Sequence, residues 1–185
     1  MLNRVRLLTL GHGTLTIETF IDLARVAEIQ HIVDIRTVPK SKHNPQFERT
    51  RMEGWLSQAG LSYRWKPELG GFRRPLPDSK NVALRNPAFR GFADYMQTPQ
   101  FWHAFDELLE EAEVAPTAVM CSESLWWRCH RRLIADAASL TRGVDVQNLM
   151  HDGKLVAHRV TEGARVHDGL VVYDVITQAP LLDRP

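Results

Sequence analysis

Short apolar runs alternate along the chain with amphipathic stretches. Val5 to Leu10 is mostly apolar and closes in Gly11-His12-Gly13, which predicts a first strand and a turn. Thr16 precedes Phe20, Leu23, Ala24, Val26 and Ala27 at near-helical spacing, with Glu18 and Asp22 in the early turns, as a helix N-terminus prefers. His31 to Val38 is β-rich and ends before Pro39, so it reads as a buried strand. After a polar, basic loop from Ser41 to Phe47, Glu48 to Ala59 reads as a helix ended by Gly60, and Leu61 to Trp65 as a short strand. Pro67 to Pro87 is rich in glycine and proline, and loops of this length are usually functional or disordered. Phe89 to Met96 reads as a helical turn. Pro99 to Glu113 reads as a helix with Phe101, Trp102, Phe105, Leu108 and Leu109 inward. Thr117 to Met120 reads as a strand, Trp127 to Leu140 as a helix and Val144 to Leu149 as a last parallel strand.

This order predicts a three-layer, Rossmann-like α/β domain over residues 1–150, a mostly parallel sheet with helices on both faces. After His151 the pattern changes. Leu155–Val160 and Leu170–Ile176 are short and β-rich, predicting a small C-terminal β hairpin or extension over residues 151–185.

Composition excludes several classes. At 185 residues the chain suits one domain with a sizeable core. No apolar run reaches the roughly 18 residues of a membrane span, and the N-terminus does not read as a signal peptide. Two cysteines make no disulfide framework, so a cytoplasmic location and no membrane partner are expected. The net charge of +1 is unevenly spread. Arg36 to Arg90 holds twelve Lys/Arg against four Asp/Glu, whereas Asp106 to Glu113 holds five acids and no base. The basic half suggests an anionic partner; a solvated surface balanced elsewhere is the bland alternative.

The candidate chemistry centres on Cys121 to Arg132. Cys121 stands at a predicted strand end before a loop carrying Glu123, and a helical pattern follows with Arg128-Cys129-His130-Arg131-Arg132. Ligands of open α/β sheets bind beyond the carboxyl ends of the strands, and a thiol beside a helix N-terminus and guanidinium groups is driven toward thiolate. Cys121 is thus a candidate nucleophile, against the alternative of a buried structural cysteine. His130 and His12 are candidate acid/base groups. Arg128 and Arg132, four apart, would share a helix face. A cysteine-phosphatase loop fits poorly, because six residues separate Cys121 from Arg128 rather than five, and Glu123 would repel a phosphate dianion. A zinc reading of Cys121, Cys129 and His130 lacks a zinc-type spacing, so no metal and no cofactor are expected. Gly11 and Gly13 flank a turn that can present N–H groups to an anion. Asp34 and Arg36 point to one face of their strand, where pairing with each other or with His12 is the bland account. Asn44 in the basic loop, and Gly70, Gly71 and Arg73 in the glycine-rich one, are further candidate binding groups.

Thr9-Leu-Gly-His-Gly13, Val33-Asp-Ile-Arg36, Asn44-Pro-Gln-Phe47, Glu68-Leu-Gly-Gly71, Phe89-Arg-Gly-Phe-Ala-Asp-Tyr-Met96 and Met120-Cys-Ser-Glu123 followed by Cys129-His-Arg131 together resemble the domain of unknown function 488 family. The resemblance runs from about Arg4 to Leu149. It departs at Gly13, where serine is common, and at Leu125-Trp126-Trp127, where the family is often Pro- or acid-bearing. The resemblance implies a Rossmann-like fold and a site at these blocks; the family has no agreed activity.

The leading expectation is an enzyme acting on a phosphate-bearing substrate, a nucleotide or nucleic acid. In it, Cys121 is the nucleophile, His12 or His130 the acid/base, and Glu123 an orienting group. Arg36, Arg128 and Arg131 hold the anion. Two alternatives stand beside it: a non-catalytic nucleic-acid-binding module, and a nucleotide N-glycosidic enzyme using Glu123 or Asp34.

Overall fold

A computed structural model describes residues 5–175. Five parallel strands form the body of the sheet: β1 (Arg6–Gly11), β2 (His31–Asp34), β3 (Ser62–Trp65), β4 (Thr117–Cys121) and β5 (Asp145–Leu149). A sixth, β6 (Leu155–Ala157), joins antiparallel, giving the order β3-β2-β4-β1-β5-β6. The helices are α1 (Ile17–Val26), α2 (Arg49–Gln58), α3 (Pro87–Tyr95), α4 (Pro99–Val114) and α5 (Arg131–Arg142). A separate hairpin of β7 (Ala164–His167) and β8 (Leu170–Tyr173) ends the described chain.

The pleat sorts the strand residues into two cores. Leu8, Leu10, Ile32, Ala118 and Met120 meet Phe20 and Leu23 of α1 and Met52 and Leu56 of α2. Leu7, Val33, Val119 and Cys121 face the other way, toward Phe92, Phe101, Phe105, Leu133 and Ile134 of α3, α4 and α5. Cys121 therefore belongs to the face that α5 covers. No helix among the described residues is long and apolar enough to cross a membrane.

Four sequence expectations need correction. The strand expected over His31–Val38 ends at Asp34. Ile35 N–H still reaches the Met120 carbonyl, but Arg36 N–H turns to the Asp34 carboxylate, which breaks the ladder. The helix expected from Trp127 begins at Arg131. Trp126–Arg128 is a separate 3-10 turn, and Cys129 is extended at φ −120°, ψ 148°. Arg128 and Arg132 consequently share no helix face. Phe89–Met96 is more than a turn: Asn86 caps the Ala88 N–H, Pro87 opens the helix, and α3 runs for nine residues. Leu155 does not pair with Leu170. A turn containing Gly153 (φ 81°) folds β6 back onto β5, and the hairpin forms between β7 and β8 around Asp168 (φ 50°) and Gly169 (φ 79°). Ile176 lies outside the described residues.

The long loop after β3 is ordered by one carboxylate. Buried Asp94 of α3 accepts the Leu76 backbone N–H, the Ser79 hydroxyl and the Asn81 amide at 2.6–2.8 Å. The hairpin is tied down similarly. Asp136 of α5, fully buried, receives Tyr173 Oη–H at 2.9 Å, His158 Nε2 at 2.7 Å and Thr161 N–H at 3.0 Å.

Candidate functional site

The carboxyl ends of β1, β2 and β4 open into a cleft of about 500 Å³. His12, Arg36, Cys121, Glu123, Arg128 and His130 all line it, joined by Lys40, Ser41, Phe72, Phe89, Ser122 and Cys129. The backbone holds the two central strand ends together: His12 N–H donates to the Cys121 carbonyl at 2.9 Å and Gly13 N–H to the Ser122 carbonyl at 3.0 Å. With Gly71, which also lines the cleft, seven of the residues singled out from the sequence thus meet in one place.

Their roles differ from simple substrate contact. Arg36 is almost fully buried. Its guanidinium is held bidentately by Asp34 and donates to His12 Nε2 at 3.2 Å. Asp34 also accepts Tyr63 Oη–H at 2.7 Å, so it stands beneath the cleft rather than in it. The pairing of Asp34 with Arg36, and of Arg36 with His12, is the bland account made concrete. His12 stacks on Phe47 with centroids 4.2 Å apart and donates Nδ1–H to the Gly13 carbonyl. Burial, then the Arg36 charge, pushes its pKa down to about 4, so it is neutral at pH 7 with Nε2 as an acceptor.

Arg131 does not reach the cleft. It is buried and donates to the backbone carbonyls of Glu123 and Ser124, shaping the loop from behind. Arg73 lies over the Tyr95 ring at 3.8 Å and binds the Gly70 carbonyl. Asn44 precedes a 3-10 turn, with its backbone N–H on Ser41 Oγ. The glycines make room for the chain itself. A Cβ on Gly11 would stand 1.8 Å from the Glu123 carbonyl oxygen, and one on Gly71 would stand 2.6 Å from the His130 ring. Gly70 is closed off in the same way by Thr37, and Gly13, at φ 49°, by Ser124.

The centre of the cleft is a sulfur–imidazole cluster. His130 Nδ1 lies 3.7 Å from Cys129 Sγ and 4.0 Å from Cys121 Sγ, and the three atoms fall within 4.8 Å of one another. His130 Nε2 donates to the Leu69 carbonyl at 3.1 Å, which leaves the Nδ1 lone pair facing the sulfurs. The two thiols divide their acidity against the sequence expectation. The hydrogen bond to Cys129 and then burial push the Cys121 thiol up. Burial opposes ionisation of Cys129 too, but the Cys121 S–H, the Arg131 charge and the Arg131 backbone N–H together bring that thiol down. Cys129, not Cys121, sits at the approach to the α5 N-terminus, where thiolate is favoured. Glu123 accepts the Leu125 N–H through Oε1. Its second oxygen has no hydrogen-bond partner among the described residues.

Sequence reasoning set Cys129 aside with the zinc reading, placed Lys40 only in a basic loop, and passed over the Leu69 carbonyl as a part of the site. Cys129 had a local signal, the helix start beside it. The Leu69 carbonyl had none, because a backbone atom 61 residues away in sequence becomes His130's partner only through the fold.

A family model described as "Domain of unknown function DUF488" matches residues 16–138. No curated protein and no solved structure matches the chain.

Proposed function

The chain belongs to the domain-of-unknown-function 488 family, and from its cleft we propose an enzyme that binds a phosphate-bearing small molecule, of nucleotide size, and transforms it at the Cys121–Cys129–His130 cluster. One observation carries the reading. Lys40 and Arg128 are exposed, have no ion-pair partner among the described residues, and flank a cleft whose floor is that cluster. Two unpaired cations beside a concave, partly apolar site suit a phosphate group. Phe72, 79% exposed at the same rim, offers a face on which a base can stack. Glu123 repels a phosphate dianion, so the phosphate lies toward Lys40 and Arg128, with Glu123 against the neutral, reacting part.

The small molecule is favoured over nucleic acid by charge pairing. Much of the basic half is neutralised in space: Lys66 and Arg64 meet Glu107 and Glu111 of α4, and Arg49 meets Glu53. The acidic run of α4 thus faces part of the basic region, and those cations are not free for a polynucleotide backbone.

Calorimetric titration with nucleoside mono-, di- and triphosphates and with a single-stranded oligonucleotide tests the reading. A mononucleotide should bind, and Lys40→Ala and Arg128→Ala should each weaken it about tenfold, the loss of roughly 1.4 kcal/mol. The oligonucleotide should bind no tighter. Absence of binding by every phosphate-bearing ligand at low salt would refute it, and a tight oligonucleotide complex with a steep salt dependence would favour the nucleic-acid module instead.

A further inference from the structure

We propose that Cys121, Cys129 and His130 form a binding site for one divalent zinc-type cation, with its fourth coordination position open to the cleft. The inference deepens the reading of this cluster as the reactive centre by naming what makes it reactive.

Three observations converge. First, the geometry is close to a tetrahedral set. Zinc–sulfur and zinc–nitrogen bonds of about 2.3 and 2.0–2.1 Å put tetrahedral ligand atoms roughly 3.5–3.8 Å apart. The two nitrogen–sulfur separations here are 3.7 and 4.0 Å and all three atoms lie within 4.8 Å of one another, so side-chain adjustments of up to about 1 Å would close the site. Second, the imidazole is already in the ligating tautomer. Its Nε2–H is spent on the Leu69 carbonyl, the outer partner that metal-bound histidines usually have, and its Nδ1 lone pair has no N–H or O–H donor among the described residues. Third, the surroundings fix the ligands. The Phe92 ring packs edge-on against His130 at 5.0 Å, and Gly71 lets the chain press against the same ring. Two thiolates would neutralise a divalent charge.

The linear spacing concealed this. Cys121 ends a strand, and Cys129 and His130 precede a helix after an intervening 3-10 turn; the fold makes them neighbours. Three protein ligands with an open fourth position is the arrangement of catalytic rather than structural zinc. Water bound there would pass a proton to Glu123, which lines the cleft outside the three-atom cluster. The resulting hydroxide would bond to the electrophilic atom of the substrate, and the leaving group would depart with the proton that Glu123 returns. The reaction class is hydrolysis.

The test uses the reduced full chain, stripped with a chelator and titrated with Co²⁺ as a spectroscopic substitute. One equivalent should give the sulfur-to-cobalt charge-transfer absorption and intense visible bands of a tetrahedral thiolate site. Zn²⁺ should abolish both and protect the two thiols from a thiol reagent. Cys129→Ser and His130→Ala should lose the signal while circular dichroism shows them folded; should they unfold, the wild-type spectrum and thiol protection still decide. A reduced wild-type chain that binds no Co²⁺, or whose thiols react equally fast with and without Zn²⁺, overturns the inference. Nucleotide binding by the metal-free chain is measured in parallel. If it persists without Co²⁺ binding, the metal site alone fails; if Co²⁺ binds but no phosphate ligand does, the substrate reading alone fails.

Discussion

At the scale of single residues, His12 shows how burial decides role. Its pKa of about 4 lies below the unperturbed 6.5, so the unfolded state binds the extra proton first as pH falls. The stability that neutral His12 confers is complete above pH 6.5 and is lost as pH drops toward 4. The full shift corresponds to on the order of 3 kcal/mol. Urea midpoints between pH 7 and 4.5 should therefore fall more steeply for the wild type than for His12→Asn; parallel slopes would contradict this. The thiols give a second residue-scale expectation. In metal-free, reduced protein, Cys129 should be alkylated with a lower pH midpoint than Cys121, as peptide mapping against pH would report. Much of the site was legible at this scale, because His12, Arg36, Cys121 and Glu123 stand at strand ends where sheet ligands bind. What residue type and position could not reveal was direction. Arg131 turns inward to two carbonyls, and Tyr63 of the neighbouring strand donates to Asp34 beneath the cleft.

Elements set the positions of these side chains through contacts between backbone and ring. Gly71→Ala puts a methyl 2.6 Å from His130, where the imidazole is already confined by Phe92 and Leu69. Overpacking of this kind costs about 1–3 kcal/mol, and the chemical-denaturation midpoint should fall accordingly. The variant should also lose much of its Co²⁺ affinity; unchanged stability and affinity together would mean the loop yields freely. The periodicity located each strand of the parallel body and four of the five helices, because burial on one or both faces writes itself into apolar spacing. It misplaced the start of α5, since Trp126–Arg128 carries the same apolar and basic residues into a 3-10 turn. It also mispaired the C-terminal strands, since pairing depends on turns such as that at Gly153 rather than on the strands' own composition.

For the molecule as a whole, the hairpin β7–β8 is fastened to α5 by polar contacts at Asp136. Tyr173→Phe removes a donor from a carboxylate that is 0% exposed, and the cost should be about 1–3 kcal/mol. Limited proteolysis should then cut the hairpin faster than the sheet domain; a global loss of protection would instead show one cooperative unit. The strand order carries a further consequence, for synthesis. β1 is made first, yet it pairs only with β4 and β5, which are made after residue 116. At ribosomal speeds of roughly 5–20 residues per second, the first strand waits on the order of ten seconds with both edges bare. A nascent chain halted before Asp145 has no complete central sheet to offer. Its apolar β1 would be a natural client for a chaperone until the last parallel strand emerges.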